Sequence, residues 1–216
     1  MLLGDEFATL PGVVAEGRRV TANIERVANL FVTKTVWSTL LAVAVAVTLL
    51  PYPFLPRHLT IIDTLAIGVP AFFLALAPNR RRYLPGFASR VLKFAIPAGA
   101  VIAGATLAAY AVARAGGLPL AQQRTAAALV TLALSLCVLI MLAMPLTWQR
   151  VVLVGAMLAG FVLLFPVPAV RGFYALELPS GGLSVIALIT ALGAAALAVV
   201  WLRAGRPGSR QPSPGS

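Results

Sequence analysis

Two formal charges lie well inside long apolar segments of this chain, Lys34 and Asp63. A charge at the centre of a lipid-spanning helix costs ~2.5–3.5 kcal/mol even on a lenient insertion scale, so chains keep one where it has a partner or a task. The segment around Asp63 reads LTIIDTLAIGVPAFFLALAPN and carries Gly68 and Pro70 in its interior. A proline there has no N–H to donate, and its ring crowds the carbonyl four residues back, that of Ala66. A carbonyl freed inside lipid is tolerated only against protein or a wet cavity, where it is a natural cation ligand. A carboxylate beside a helix break at Gly68 and Pro70 therefore predicts an ion-binding position.

The elements that must hold these residues are membrane helices. The chain is 60% hydrophobic and 11% charged, which excludes a soluble domain. Apolar runs of about 18 residues or more read as spans, and six candidates stand at about 30–50, 59–77, 94–113, 125–144, 151–165 and 183–202. The fifth is shorter than the rest. A β-barrel is excluded because its strands alternate apolar and polar residues, whereas these runs are apolar throughout. The expected fold is an all-α integral membrane protein, a six-transmembrane-helix bundle with a short cytoplasmic strand and helix remnant at its N-terminus.

The net charge of +11 suggests nucleic acid at first sight, but its distribution argues against that partner. With the N-terminus inside, six spans put Arg18, Arg19, Arg26, Arg80, Arg81, Arg82, Arg90, Lys93, Arg150, Arg203, Arg206 and Arg210 on the inner side. Arg57, Arg114, Arg124 and Arg171 fall on the outer side. Such a bias is a topology signal and predicts a multi-pass protein of the inner (plasma) membrane with both termini in the cytoplasm, its partner the lipid bilayer. The lone Cys137 lies within a span and forms no intrachain disulfide. Residues 1–12 are acidic and lack the pattern of a signal peptide.

Residues 1–29 are the one sizeable polar stretch before the first span. Met1–Gly4 reads as the stub of a strand, which suggests a truncated domain upstream. From about Pro11 the apolar positions Val13, Val14, Val20, Ile24, Val27 and Leu30 recur at helical spacing, so a helix is expected to run unbroken into the bilayer. Ala100, Gly104 and Ala108, and also Ala156 and Gly160, are small residues four apart of the kind that let membrane helices approach closely. Residues 203–216 are rich in proline, glycine and serine and are expected to be disordered.

At its N-terminal end the chain resembles a known family. GDEFATLPGVVAEGRRV followed by NIERVANLFVTKT is similar to the end of the phosphorylation domain and the fifth transmembrane helix of P-type cation-transporting ATPases. The stretch from Asp63 through Pro70 to Pro78 and Asn79 is similar to their sixth helix. Helices five to ten of the larger family members also number six. The resemblance implies a C-terminal piece of such a pump: residues 1–29 as a remnant of the phosphorylation domain and the helix leading into the membrane, 30–202 as the six-helix domain, and 203–216 as a tail. It implies no cofactor in this chain, with ATP and magnesium belonging to the intact parent. The phosphorylation and nucleotide-binding motifs are not in this sequence, so no ATP hydrolysis is expected from it alone. The implied partners are the missing N-terminal part of the pump and the transported cation, calcium being a candidate.

The resemblance also implies a site. Asp63 becomes the ion-coordinating acid, with oxygens from the Ala66 carbonyl, Thr60, Thr64, Thr35 and Ser38; hard cations such as calcium take oxygen ligands only. Two-site calcium pumps carry carboxylates on their fifth and eighth helices, and this sequence has none in either. One cation per cycle, with Lys34 as a built-in counter-ion, fits this departure. Other readings stay open: Lys34 snorkelling to the inner interface, Pro70 as a packed kink, and the four hydroxyls bonding their own helix carbonyls. Lys34 is reached from the inner side and Asp63 from the outer, so the two are not expected to pair. A self-contained six-span permease with Asp63 as proton relay, and an inactive truncated scaffold, are the rival functions.

Overall fold

The computed structural model describes residues 10–76, 86–179 and 181–204, with side chains from residue 23 onward. The strand stub at Met1–Gly4, the arginines at 80–82, Pro78–Asn79 and most of the tail lie outside the described residues.

Helix α1 (Leu10–Thr48) is a single 39-residue element. Arg18 to Thr48 contains neither glycine nor proline, and Pro11 sits in the first turn, where its missing N–H costs nothing. At 1.5 Å per residue the helix is ~58 Å long, about twice what crosses a bilayer. The expected continuous helix is therefore present, and it projects well beyond the apolar part of the chain.

After Thr48, residues 49–55 turn back into the bundle. The Phe54 ring packs edge-on against Trp37 at 5.9 Å, and both side chains are buried. Trp37 is about three turns short of the end of α1, so the next helix starts deep beside α1. That helix is α2 (Pro56–Asp63), which runs through a π turn (Thr64–Gly68) into α3 (Val69–Leu76). The Val69 N–H bonds the Thr64 carbonyl, five residues back. The interruption expected at Gly68 and Pro70 thus takes the form of one widened turn in a continuous span, with Pro70 buried.

Helices α4 (Phe87–Ala115), α5 (Leu120–Ala143), α6 (Trp148–Leu163), α7 (Pro168–Tyr174) and α8 (Leu183–Arg203) complete the described fold. α4 packs between α1 and α5, and α8 lies on α4 and α5. The α1–α4 approach is set by Gly99: a Cβ there would stand 2.6 Å from Val36 Cβ and 3.0 Å from the Thr33 carbonyl. Gly193 admits Leu134 and Gly160 admits Leu65 in the same way. The expected small-residue stripe of α4 does not perform this role. Ala100, Gly104 and Ala108 face outward, and a Cβ on Gly104 would meet nothing within 4 Å. The close contact falls on the other side of the helix, where Ala95, Gly99 and Ala103 are buried.

Polar contacts fix which helix ends lie together. Where α1 reaches Asn23, its Nδ2 donates to Ala75 O at the end of α3 (2.9 Å), and Glu25 holds Arg90 of α4 through two bonds of 3.0 and 2.9 Å. Arg26 reaches Met144 O beyond α5 at 3.5 Å, and Arg150 of α6 donates to Pro145 O at 2.9 Å. At the opposite end, Arg57 donates to Phe173 O, Arg124 to Tyr52 O, and the Glu177 N–H to Thr125 Oγ1. α6 therefore runs from one end of the bundle to the other although it has only 16 residues, and α7 then turns away from it by 88°. Among the described residues five helical spans are long and apolar enough to cross a membrane, and six when α6 and α7 count as one bent span. The all-α membrane bundle expected from sequence is the fold observed.

Candidate ion-binding site

α1 and the α2–π–α3 span lie side by side, and at mid-span they bring Lys34 and Asp63 together. Lys34 Nζ donates to Asp63 Oδ2 at 2.6 Å. The pairing that the sequence argued against is thus made, for a reason visible in the fold. The sequence reading set the start of the second span at the outer edge, whereas the 49–55 segment folds back until Phe54 meets Trp37, three residues from Lys34. Asp63 enters beside Lys34 and not above it. Neither charge is sealed: the side chains are 32% and 39% exposed on one open face of the bundle.

The second carboxylate oxygen, Asp63 Oδ1, is buried with no hydrogen-bond partner. An ionised carboxylate accepts several bonds, so this oxygen keeps unused acceptor capacity. The other expected donors bond their own helices. Thr60 Oγ1 donates to Pro56 O (3.2 Å), Thr64 Oγ1 to Thr60 O (2.8 Å), Thr35 Oγ1 to Phe31 O (3.0 Å) and Ser38 Oγ to Thr35 O (3.1 Å). Each hydroxyl spends its proton on its own helix and keeps its lone pairs outward. Thr35, Thr60 and Thr64 share the exposure of the ion pair. Ala66, in contrast, is fully buried in the π turn. Gly68 is exposed, and a Cβ there would make ordinary contact with Asp63 O at 3.4 Å.

The Asp63 carboxylate keeps one oxygen unpaired while the Lys34 ammonium neutralises its charge. The arrangement is not a closed metal cage. Among the described residues no group of three or more histidines, cysteines or acids converges on one point.

Two buried hydroxyls that the sequence reading did not single out stand on the inward side of the pair. Thr33 Oγ1 and Ser135 Oγ both lack hydrogen-bond partners, and both residues line a small cavity with Lys34. A signal existed for Ser135, one of three hydroxyls in α5, which is otherwise apolar from Thr125 on; Thr33 offered none, standing among several hydroxyls in α1.

The fold and the ion pair define a class: a polytopic helical membrane protein with a charged, cation-compatible site inside its spans. No protein-family model matches the sequence. The chain is 44% identical over 221 residues to the calcium-transporting ATPase CtpE of Mycolicibacterium smegmatis, covering 95% of this chain and 28% of that protein. It is 44% identical over 216 residues to the protein of the same name from Mycobacterium bovis and 43% identical to that of Mycobacterium tuberculosis, covering 93% of this chain and 27% of each relative. Nearly the whole chain is thus similar to one membrane part of calcium-transporting ATPases, which are P-type cation pumps. It spans little more than a quarter of the length of the curated relatives it matches.

Proposed function

We propose that this chain is the C-terminal transmembrane module of an ATP-driven pump that moves calcium, and that it supplies one side of a single ion site centred on Asp63. The observation that carries the reading is the Lys34–Asp63 pair at mid-span with Asp63 Oδ1 left open. In the resting site Lys34 neutralises the carboxylate; a cation takes its place using Asp63, the hydroxyls of Thr60, Thr64, Thr35 and Ser38, and the backbone near Ala66 and Gly68. Calcium is surrounded by six to eight oxygens, whereas those proposed here all come from one side, and the polar face is open. Polar groups at that depth stay stable against protein or water and not against lipid. Both points favour a partner surface from the rest of the pump, which would also carry the ATP and magnesium sites. The names of the mycobacterial relatives favour calcium as cargo.

In this reading α1 transmits the energy. It is one rod from residue 10 to residue 48, so movement of its cytoplasmic end shifts Lys34 against Asp63. Both chain ends lie in the cytoplasm, in keeping with the arginine bias. The test is ATP-dependent calcium uptake into inverted membrane vesicles containing the full-length pump, wild type against Asp63→Asn. Uptake is expected to fall to background in the variant. Undiminished uptake by Asp63→Asn would remove the proposal, and ATP-independent calcium flux through the 216-residue chain alone would replace it with a permease.

A further inference from the structure

Lys34 has one carboxylate partner and, on its other side, a hole. The cavity lies between α1, the π turn and α5 and holds about one water-sized group; its walls include Lys34, Thr33, Trp37, Ala66, Ile67 and Ser135. Ala66, Ile67 and Trp37 make most of it apolar. The exceptions are the two hydroxyls. Thr33 is 3% exposed and Ser135 6%, and neither Oγ has a hydrogen-bond partner. Leaving a buried hydroxyl unpaired is costly, and two such groups on one small hole form a set of acceptors for something that arrives there.

The chemistry of Lys34 identifies what arrives. A lysine ammonium has three protons to donate and no acceptor, and here it gives one to Asp63 Oδ2. A divalent cation binding at Asp63 places a second, stronger positive charge against the same carboxylate. The ammonium must then leave for a place that accepts its protons and is not hydrocarbon. The cavity beside it offers two hydroxyl oxygens, and an aromatic wall at Trp37 of the kind that attracts ammonium groups. Because Lys34 already lines the cavity, rotation about its own side-chain bonds is enough; no helix has to move.

We propose that the Thr33–Ser135 cavity is the second berth of the Lys34 ammonium, filled when a divalent cation occupies Asp63. This rests on the reading of Asp63 as a cation ligand and adds two positioning residues that never touch the cation. Thr33 and Ser135 set calcium affinity by giving the displaced charge somewhere to go. Without them, a cation must compete with an ammonium whose move off Asp63 into the bundle meets only apolar walls.

The experiment is calcium activation of ATP hydrolysis by the full-length pump. Thr33→Val and Ser135→Ala, singly and together, are compared in the wild-type and Lys34→Met backgrounds. The double variant is expected to need at least about tenfold more calcium for half-maximal activation, since even one hydrogen bond to a charged group is worth that factor. In the Lys34→Met background the same substitutions are expected to shift it less than about twofold, since no ammonium is left to relocate. Equal shifts in both backgrounds would overturn the berth, because the hydroxyls would then act without the lysine; so would no shift in either. If calcium activates nothing and Asp63→Asn is silent, the ion site itself is refuted and the berth with it. Structures of the full-length pump with calcium and with chelator give a second readout that does not depend on rates. Lys34 Nζ is expected within hydrogen-bond reach of both hydroxyls when calcium is bound, and an ammonium still on Asp63 beside bound calcium would overturn the proposal.

Discussion

Lys34 Nζ and Asp63 Oδ2 lie 2.6 Å apart in the middle of two adjacent spans, bonded across the one place where each helix carries a charge inside its apolar run. The pair converts two residues that are individually costly in hydrocarbon into one neutral unit.

Removing one partner leaves the other charge without compensation. Lys34→Met and Asp63→Asn are each expected to destabilise the bundle by about 2–3 kcal/mol, the cost of a lone charge at that depth. The double variant is expected to recover most of the loss, because two neutral side chains replace the pair. Detergent-unfolding midpoints of the four proteins give the coupling energy; strictly additive losses would show that the two charges do not interact.

Gly99 and Gly104 stand five residues apart on α4 and predict opposite outcomes. Gly99→Ala drives a methyl group into Val36 and the Thr33 carbonyl and is expected to cost ~1–3 kcal/mol by overpacking. Gly104→Ala meets nothing within 4 Å and is expected to gain ~0.5–1 kcal/mol by reducing the conformational freedom of the unfolded chain. Thermal unfolding in detergent distinguishes them, and equal effects would contradict the packing described for α1 and α4.

Thr106 and Thr131 join α4 to α5 through hydroxyls 2.6 Å apart in a fully buried contact. Each hydroxyl has one proton, so one of the two donates to its own helix carbonyl (Ile102 O or Ala127 O) while the other donates across the interface to its neighbour's oxygen. Thr131→Val keeps the shape and removes the oxygen. A loss of about 0.6 kcal/mol is expected, typical of hydrogen bonds between membrane helices. A loss beyond about 2 kcal/mol would mean that the pair anchors the interface more strongly than such bonds do elsewhere.

Glu25 grips Arg90 through both carboxylate oxygens, fastening α1 to the first turn of α4. Both side chains keep some exposure, so Glu25→Gln is expected to cost about 1 kcal/mol or less in stability and less still in high salt. The exchange Glu25→Arg with Arg90→Glu is expected to restore stability where either single reversal fails. Unfolding measured at low and high ionic strength checks both statements.

Much of this fold was legible because lipid imposes a simple code. Long apolar runs mark spans, and the helical spacing of apolar positions from Val13 to Leu30 announced the long rod of α1. Asp63, Lys34 and Pro70 stood out for the same reason, as breaches of that code. The partnership of Lys34 with Asp63 was not legible, since it depends on how far the 49–55 segment folds back, and that is decided by Phe54 finding Trp37. The face of a small-residue stripe was likewise hidden: Ala100, Gly104 and Ala108 satisfy the spacing rule, but the choice of Gly99 is made by the neighbour across the gap. Thr33 and Ser135 escaped because a hydroxyl in a helix usually bonds its own backbone, and only the packed structure reveals one that does not.

The shortness of α6 has a consequence for the membrane around it. Sixteen residues rise ~24 Å, whereas the hydrocarbon of an ordinary bilayer is ~30 Å thick. The abrupt turn into α7 keeps the chain from making up the difference, and Trp148 at one rim and Phe173 beyond the other are both exposed, aromatic rings suited to the headgroup level. Where that flank meets lipid, the bilayer would thin locally to match it, so bilayers of shorter acyl chains would seat this helix with the least deformation.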